Sequence, residues 1–271
     1  ISGGTVTANG GDGDNGIYSS GSVTISGGST VTANGGNGTI SGGNGIYSDS
    51  GDVTISGGST VTAKGGDGGS FGGGSGISSF NRVAISGSTV TANGGDSSSN
   101  SGGYGISSLD VAISSGTVTA NGGDSKDGSG GNGIYSSSGV AISGGAVTAN
   151  GGDSKDGSGG NGIYSRNGSI DLSGSLELTA KAGSPNGKAL SQNGSELVLD
   201  TIKDKLGPGA KVTATDADGK VIDQVSTPRP VEPEESSSSS DGGSAAPSAP
   251  VSPLPGLTVT DKDGQRISYT S

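Results

Sequence analysis

The chain has 271 residues, 60 of them Gly and two Phe, with no His, Cys, Met or Trp. Only 27% are hydrophobic, which argues against a conventional globular core, and the net charge of −11 with no stripe of Lys or Arg speaks against nucleic-acid binding. No apolar run approaches the ~20 residues of a membrane-spanning helix, so no membrane insertion is expected, and the lack of Cys leaves the redox compartment open.

The chain opens on ISGGTVTANGG, the second half of a unit that appears in full as GIYSSGSVTISGGSTVTANGG at residues 16 to 36. Opening mid-repeat, it reads as a fragment with earlier repeats and a signal peptide upstream. The Gly-Ile start of the unit falls at Ile17, Ile46, Ile77, Ile106, Ile134 and Ile163, at spacings of 29, 31, 29, 28 and 29 residues. A period this regular makes each copy one structural unit stacked on the next.

Each unit holds three β-like stretches, typified by Ile17 to Ser19, Val23 to Ser26 and Thr30 to Ala33, separated by Gly-containing corners. Three strands and three corners make one triangular coil. Alternation turns Ile17, Val23, Ile25, Val31 and Ala33 inward and Tyr18, Thr24, Thr30 and Thr32 outward. Stacked coils, about 4.8 Å apart, then form parallel sheets, so the expected fold is an all-β solenoid, a parallel β-helix of three short strands per coil of about 29 residues. No six- or nine-residue sub-period points to the hexapeptide or calcium-binding nonapeptide helices, and the single near-match GGDGDNGIY at 10 to 18 carries no weight. The Gly-rich segments, such as GGDSKDGSGGNG at 122 to 133, have nothing to bury and are expected as partly mobile loops outside the scaffold.

The coils are expected to occupy residues 1 to 184, followed by a degenerate coil and cap at 185 to 225 that covers the otherwise exposed strand edge. Within it TIKDKLGPG, 201 to 209, reads as a cap turn, and Lys211 to Val225 as a hairpin around Asp218-Gly219. Residues 226 to 256 are Pro-, Ser- and Glu-rich and read as a linker, and 257 to 271 as a short β segment. DADG at 216 to 219 and DKDG at 261 to 264 lack the rest of an EF-hand and read as turns.

Four outward rows could carry chemistry. Tyr18, Tyr47, Tyr135 and Tyr164 form one column, interrupted by Ser78 and Ser107; aromatic faces beside hydroxyls suit sugar rings, although Tyr is also a good strand residue. Thr30 with Thr32, Thr60 with Thr62, Thr89 with Thr91 and Thr117 with Thr119 continue a pairing begun by Thr5 and Thr7. Such Thr-x-Thr arrays resemble those of ice-binding proteins, while strand propensity alone would also select them. Asn9, Asn34, Asn93, Asn121 and Asn150 recur after the third strand, where a left-handed corner and stacked amides would explain them; Lys64 interrupts the row. Asp12, Asp67, Asp96, Asp124 and Asp153 follow Gly-Gly in the loops, with Asn37 in one copy. Carboxylates at coil spacing repel unless they are solvated or bridged by a hard cation, and Ca2+ is the cation such a column would take.

The phrase NGIYSSGSVTISGGSTVTANGG resembles the repeats of right-handed parallel β-helix, carbohydrate-binding surface proteins of clostridia and other Gram-positive bacteria, which are cellulose-binding and polysaccharide-lyase-like. The resemblance covers residues 1 to about 200 and implies a right-handed coil, a secreted or cell-surface location and a glycan ligand. The family's Asp-Gly-Ile-Asp-Ser calcium pattern is not reproduced: the positions hold Asn15 and Tyr18, Asn44 and Tyr47, Ser75 and Ser78, Tyr104 and Ser107, Asn132 and Tyr135, and Asn161 and Tyr164. With no His and no cluster of acid, base and cation, no enzyme activity is expected. The expected function is a non-catalytic, monomeric module that binds polysaccharide or cell-wall glycan or serves adhesion, with a purely structural stalk as the alternative and ice binding as a third reading.

Overall fold

The computed structural model describes residues 1–229. The linker beyond its first four residues and the closing β segment lie outside the described residues.

Within them the chain winds as a parallel β-solenoid of about 6 turns with about 29 residues per turn. The third strands, Thr5–Asn9, Thr30–Asn34, Thr60–Lys64, Ser88–Asn93, Gly116–Asn121, Gly145–Asn150 and Leu176–Lys181, stack in parallel into one nine-stranded sheet. Its last two members are Lys211–Thr215, parallel to Leu176–Lys181, and the antiparallel Val221–Ser226. Pairing is residue for residue: Thr30 lies beside Thr60, Val31 beside Val61, Ala33 beside Ala63. A one-residue slip would turn the Val and Ala columns out to solvent, so burial fixes this register.

The first and second strands of each coil belong to a single twelve-stranded sheet. Separate strands form where a corner is present, as in Ile46–Ser48 and Val53–Ile55. The coil beginning at Ile106 has only Ser107 to Asp110 between Ile106 and Val111, against six residues between Ile46 and Val53, so Ile106–Ile113 bends through the corner as one strand. The next coil follows it as Ile134–Ile142, with a register irregularity between Ser108 and Asp110.

The core is a set of columns rather than a cluster. Ile46, Ile77, Ile106, Ile134 and Ile163 are fully buried, as are Ile25, Ile55 and Ile142, and Ala33, Ala63, Ala92, Ala120 and Ala149 line the nine-stranded sheet. Toward the C-terminal end the columns widen to Leu172, Leu176, Leu178 and Leu190.

The Gly-rich segments depart from the expectation of mobile loops. Each leaves the coil and returns beside itself, and its backbone is bonded into the neighbouring segments. Gly36 donates to the Asp14 carbonyl, Gly43 to Gly36, Gly66 to Gly43, Gly74 to Gly66 and Gly95 to Gly74, each at 2.8 or 2.9 Å, and the zigzag continues to Gly183. The expectation failed because it counted only apolar side chains. Here backbone packs directly on backbone: a Cβ on Gly36 would sit 1.6 Å from the Gly11 carbonyl oxygen, and one on Gly95 2.0 Å from that of Gly66. At the tips, Ser97, Ser125 and Ser154 are buried, pair across coils, and accept N–H bonds from Asn100, Gly128 and Gly157.

The C-terminal end is closed by side chains standing in for a missing coil. Leu190–Gln192 adds to Ile163–Ser165, then turns back at Asn193-Gly194, so the predicted final coil is only a partial one. The Gln192 Oε1 accepts the Ile170 N–H at 2.8 Å, and the Glu196 Oε1 accepts that of Leu190 at 2.8 Å. The expected cap turn is a 3-10 helix, Leu199–Lys205, with Leu199 and Ile202 buried. The expected hairpin forms at Gly219, and the Asp216 carboxylate accepts the Asp218 and Lys220 N–H groups as a turn residue does.

Candidate functional site

The tyrosine column forms as read. Tyr18 pairs with Tyr47, Tyr47 with Ser78, Ser78 with Ser107, Ser107 with Tyr135, and Tyr135 with Tyr164. All lie on the first strand of their coils, and the flanking Ile and Ser side chains, buried beside Tyr47, Tyr135 and Tyr164 and half-buried beside Tyr18, hold the tyrosines outward. Tyr18 and Tyr47 meet at 5.8 Å between ring centres, and Tyr135 and Tyr164 at 5.7 Å edge to face.

The interruption at Ser78 and Ser107 is itself a feature. It is the floor of a trough of about 340 Å³, with Tyr47 at one end, Tyr135 at the other, and Phe80 and Leu109 along the side. Phe80 is 72% exposed and Leu109 40%, so the trough presents apolar faces to solvent beside serine hydroxyls. Tyr47 and Tyr135 are three coil steps apart, about 14 Å at the usual spacing between neighbouring strands. The Tyr47 hydroxyl donates to the Asp49 carboxylate at 2.8 Å, and this bond, with partial burial, raises the phenol above its ordinary pKa.

Tyr104, Phe80 and Leu109 were not read from the sequence as site residues. Tyr104 lies on the returning limb of a Gly-rich segment and stacks on Tyr135 at 4.9 Å and 12°. Burial first, then the neighbouring Tyr135, raises its pKa. With Tyr164, Asn132, Asn161 and Lys188 it lines a second hollow of about 460 Å³. The available signal was that Tyr104 replaces an Asn, and Phe80 and Leu109 replace small or polar corner residues.

The threonine rows lie in register on the nine-stranded sheet: Thr5, Thr30, Thr60, Thr89 and Thr117 in one column, Thr7, Thr32, Thr62, Thr91 and Thr119 in the other. The second column runs on through Thr148, Thr179 and Thr213. Thr30, Thr60, Thr62, Thr89 and Thr117 are exposed, Thr32, Thr91 and Thr119 half-buried. None of these ten paired hydroxyls is spent on a bond within the described residues.

The acidic row is also real as a column, and it has work in the scaffold. The Asp67 carboxylate accepts the Asp96 N–H at 3.0 Å, Asp96 that of Asp124 at 2.8 Å, Asp124 that of Asp153 at 2.7 Å, and Asp153 that of Ser184 at 2.8 Å. Asn37 begins the series by accepting the Asp67 N–H. Asp12, Asn37 and Asp67 border a hollow of about 570 Å³. Among the described residues no three His, Cys, Asp or Glu side chains come together as a metal cage would need.

The asparagine row hydrogen-bonds along the axis. Asn34 donates to Asn9 at 2.8 Å, Asn121 to Asn93 and Asn150 to Asn121 at 2.7 Å, with the expected break at Lys64. The left-handed corner does not accompany it: among the described non-glycine residues only Asn186 and Asn193 have positive φ, and the asparagines of the row end strands that remain extended. A second amide ladder, unread in the sequence, joins Asn44 to Asn15 and Asn161 to Asn132 just before the Gly-Ile start.

Comparison with known protein families, with curated proteins and with solved structures finds no match to this chain.

Proposed function

We propose that the tyrosine face binds polysaccharide without catalysis, as a module of a secreted or surface-anchored bacterial protein. The observation that carries this is the trough between Tyr47 and Tyr135. Two aromatic side chains bound a shallow, rigid, hydroxyl-floored groove whose side wall, Phe80 and Leu109, is apolar and exposed. Pyranose rings offer apolar C–H faces to aromatics and hydroxyls to serines, and a groove open at the surface admits a polymer rather than a small molecule. A rigid ladder-built floor carries little ordering cost on binding.

The test is retention of the purified chain on a panel of insoluble glycans, cell-wall polysaccharide included. Tyr47→Ala and Tyr135→Ala should each weaken retention several-fold to about tenfold, the scale of one lost aromatic contact. If no glycan is retained, or retention ignores both changes, the stalk reading takes its place.

A second reading is favoured by the two unspent threonine columns. They repeat at about 4.8 Å along the solenoid and about 6.6 Å along each strand, a flat neutral lattice of hydroxyls and methyls suited to ordering water. Ice-crystal shaping or thermal hysteresis by the chain would support it, and their absence would remove it.

A further inference from the structure

Asn-Gly is the dipeptide at which a chain most readily modifies itself. The glycine nitrogen attacks the asparagine Cγ, the new C–N bond closes a succinimide, and Nδ2 leaves as ammonia with the proton lost by the glycine nitrogen. Water then opens the ring to aspartate or isoaspartate, adding one negative charge. This chain contains thirteen Asn-Gly pairs, all within the described residues.

In eleven of them the glycine N–H is already given to a backbone carbonyl. Ten of these bonds cross to the neighbouring coil, as from Gly94 to Asn121 at 2.8 Å and from Gly133 to Asn161 at 2.9 Å; the eleventh joins Gly187 to Gly183. A nitrogen held in a ladder can attack only after the ladder opens locally. Two glycines, Gly168 and Gly194, make no such bond among the described residues. They differ in room to move. A Cβ built on Gly168 would lie 1.2 Å from the Ser138 carbonyl oxygen, so its backbone is clamped, whereas Gly194 has nothing within 4 Å. Asn193 and Gly194 are both exposed and sit in the left-handed turn of the cap hairpin, at φ 50 and 81.

We propose that Asn193 is a self-modification site, and that backbone hydrogen bonds at eleven of the other Asn-Gly pairs, and the clamped backbone of Gly168 at the twelfth, protect those pairs from the same chemistry. The position has a consequence for the fold. Gln192 and Glu196, which flank the turn, supply the side-chain oxygens that satisfy the Ile170 and Leu190 N–H groups at the end of the stack. Isoaspartate inserts a methylene into the main chain between them, which pulls both acceptors out of register and opens the cap.

The full chain held for days in warm, mildly alkaline buffer, beside a sample in urea, would be followed by peptide mapping with isoaspartate detection. Taken as a native-to-urea rate ratio, Asn193 should exceed Asn9, Asn93 and Asn132 by more than about tenfold, the factor expected for even a small local opening cost. Asn193→Gln should lose the first acidic species formed by the native protein, and the modified protein should exchange the Ile170 and Leu190 amide protons faster. Native ladder asparagines converting at the Asn193 ratio would overturn the proposal, and so would an Asn193 that stays intact while the urea sample converts.

Discussion

Glycine in the two limbs of each Gly-rich segment is dictated by distance. Gly66 and Gly95 are not at positive φ, yet a Cβ on either would lie 2.1 or 2.0 Å from a carbonyl oxygen of the neighbouring coil. Gly95→Ala should therefore cost about 1–3 kcal/mol, the usual penalty for overpacking a closed site. Gly21→Ala, at a corner with nothing within 4 Å, should change stability by less than about 0.5 kcal/mol. Urea denaturation of the two variants checks the contrast, and equal effects would mean that the segments are as loose as their composition implies. The same scale explains what escaped the sequence reading of the trough. Phe80, Leu109 and Tyr104 each break the column they stand in, so no repetition announced them. Their relation to Tyr47 and Tyr135 exists only after successive coils of about 29 residues are stacked side by side.

At the scale of the strand and its ladders, side-chain amides extend the backbone hydrogen bonds along the axis. The row from Asn93 to Asn150 is continuous, whereas Lys64 separates Asn34 from Asn93. Lys64→Asn would supply both an acceptor for Asn93 and a donor to Asn34, and should stabilise the chain by about 1 kcal/mol, a net gain typical of such bonds. A raised urea midpoint with an unchanged slope is the expected result; no rise would mean that the exposed amides gain nothing over water. The strands themselves were legible almost residue by residue, because each alternates buried aliphatic and outward polar residues between Gly corners. The fused strand Ile106–Ile113 was not, since it follows from a corner shortened below the length that can turn.

At the scale of the molecule, a stack of coils is only as sound as its ends. Glu196 sits in the cap with its pKa raised, chiefly by burial, while its Oε1 holds the Leu190 N–H. A carboxyl whose folded pKa lies above its unfolded value stabilises below the unfolded value and loses that contribution as pH rises through the folded one. Glu196→Gln keeps the acceptor and removes the charge. It should melt higher than the parent at neutral pH, with the gap closing as pH falls below the ordinary carboxylate range; a lower melting temperature at neutral pH would count against this account of the cap. The sequence by itself determined the coil, its period, the inward columns and the outward Tyr, Thr, Asn and Asp rows. These follow from alternation and repetition, which are local properties of the chain. Only the tertiary structure decided that the Gly-rich segments are hydrogen-bonded into the stack, that the acidic row is hydrogen-bonded from coil to coil, and that the gap at Ser78 and Ser107 is a walled trough. Those depend on backbone approaching backbone and on single residues meeting across coils, contacts that periodicity does not encode.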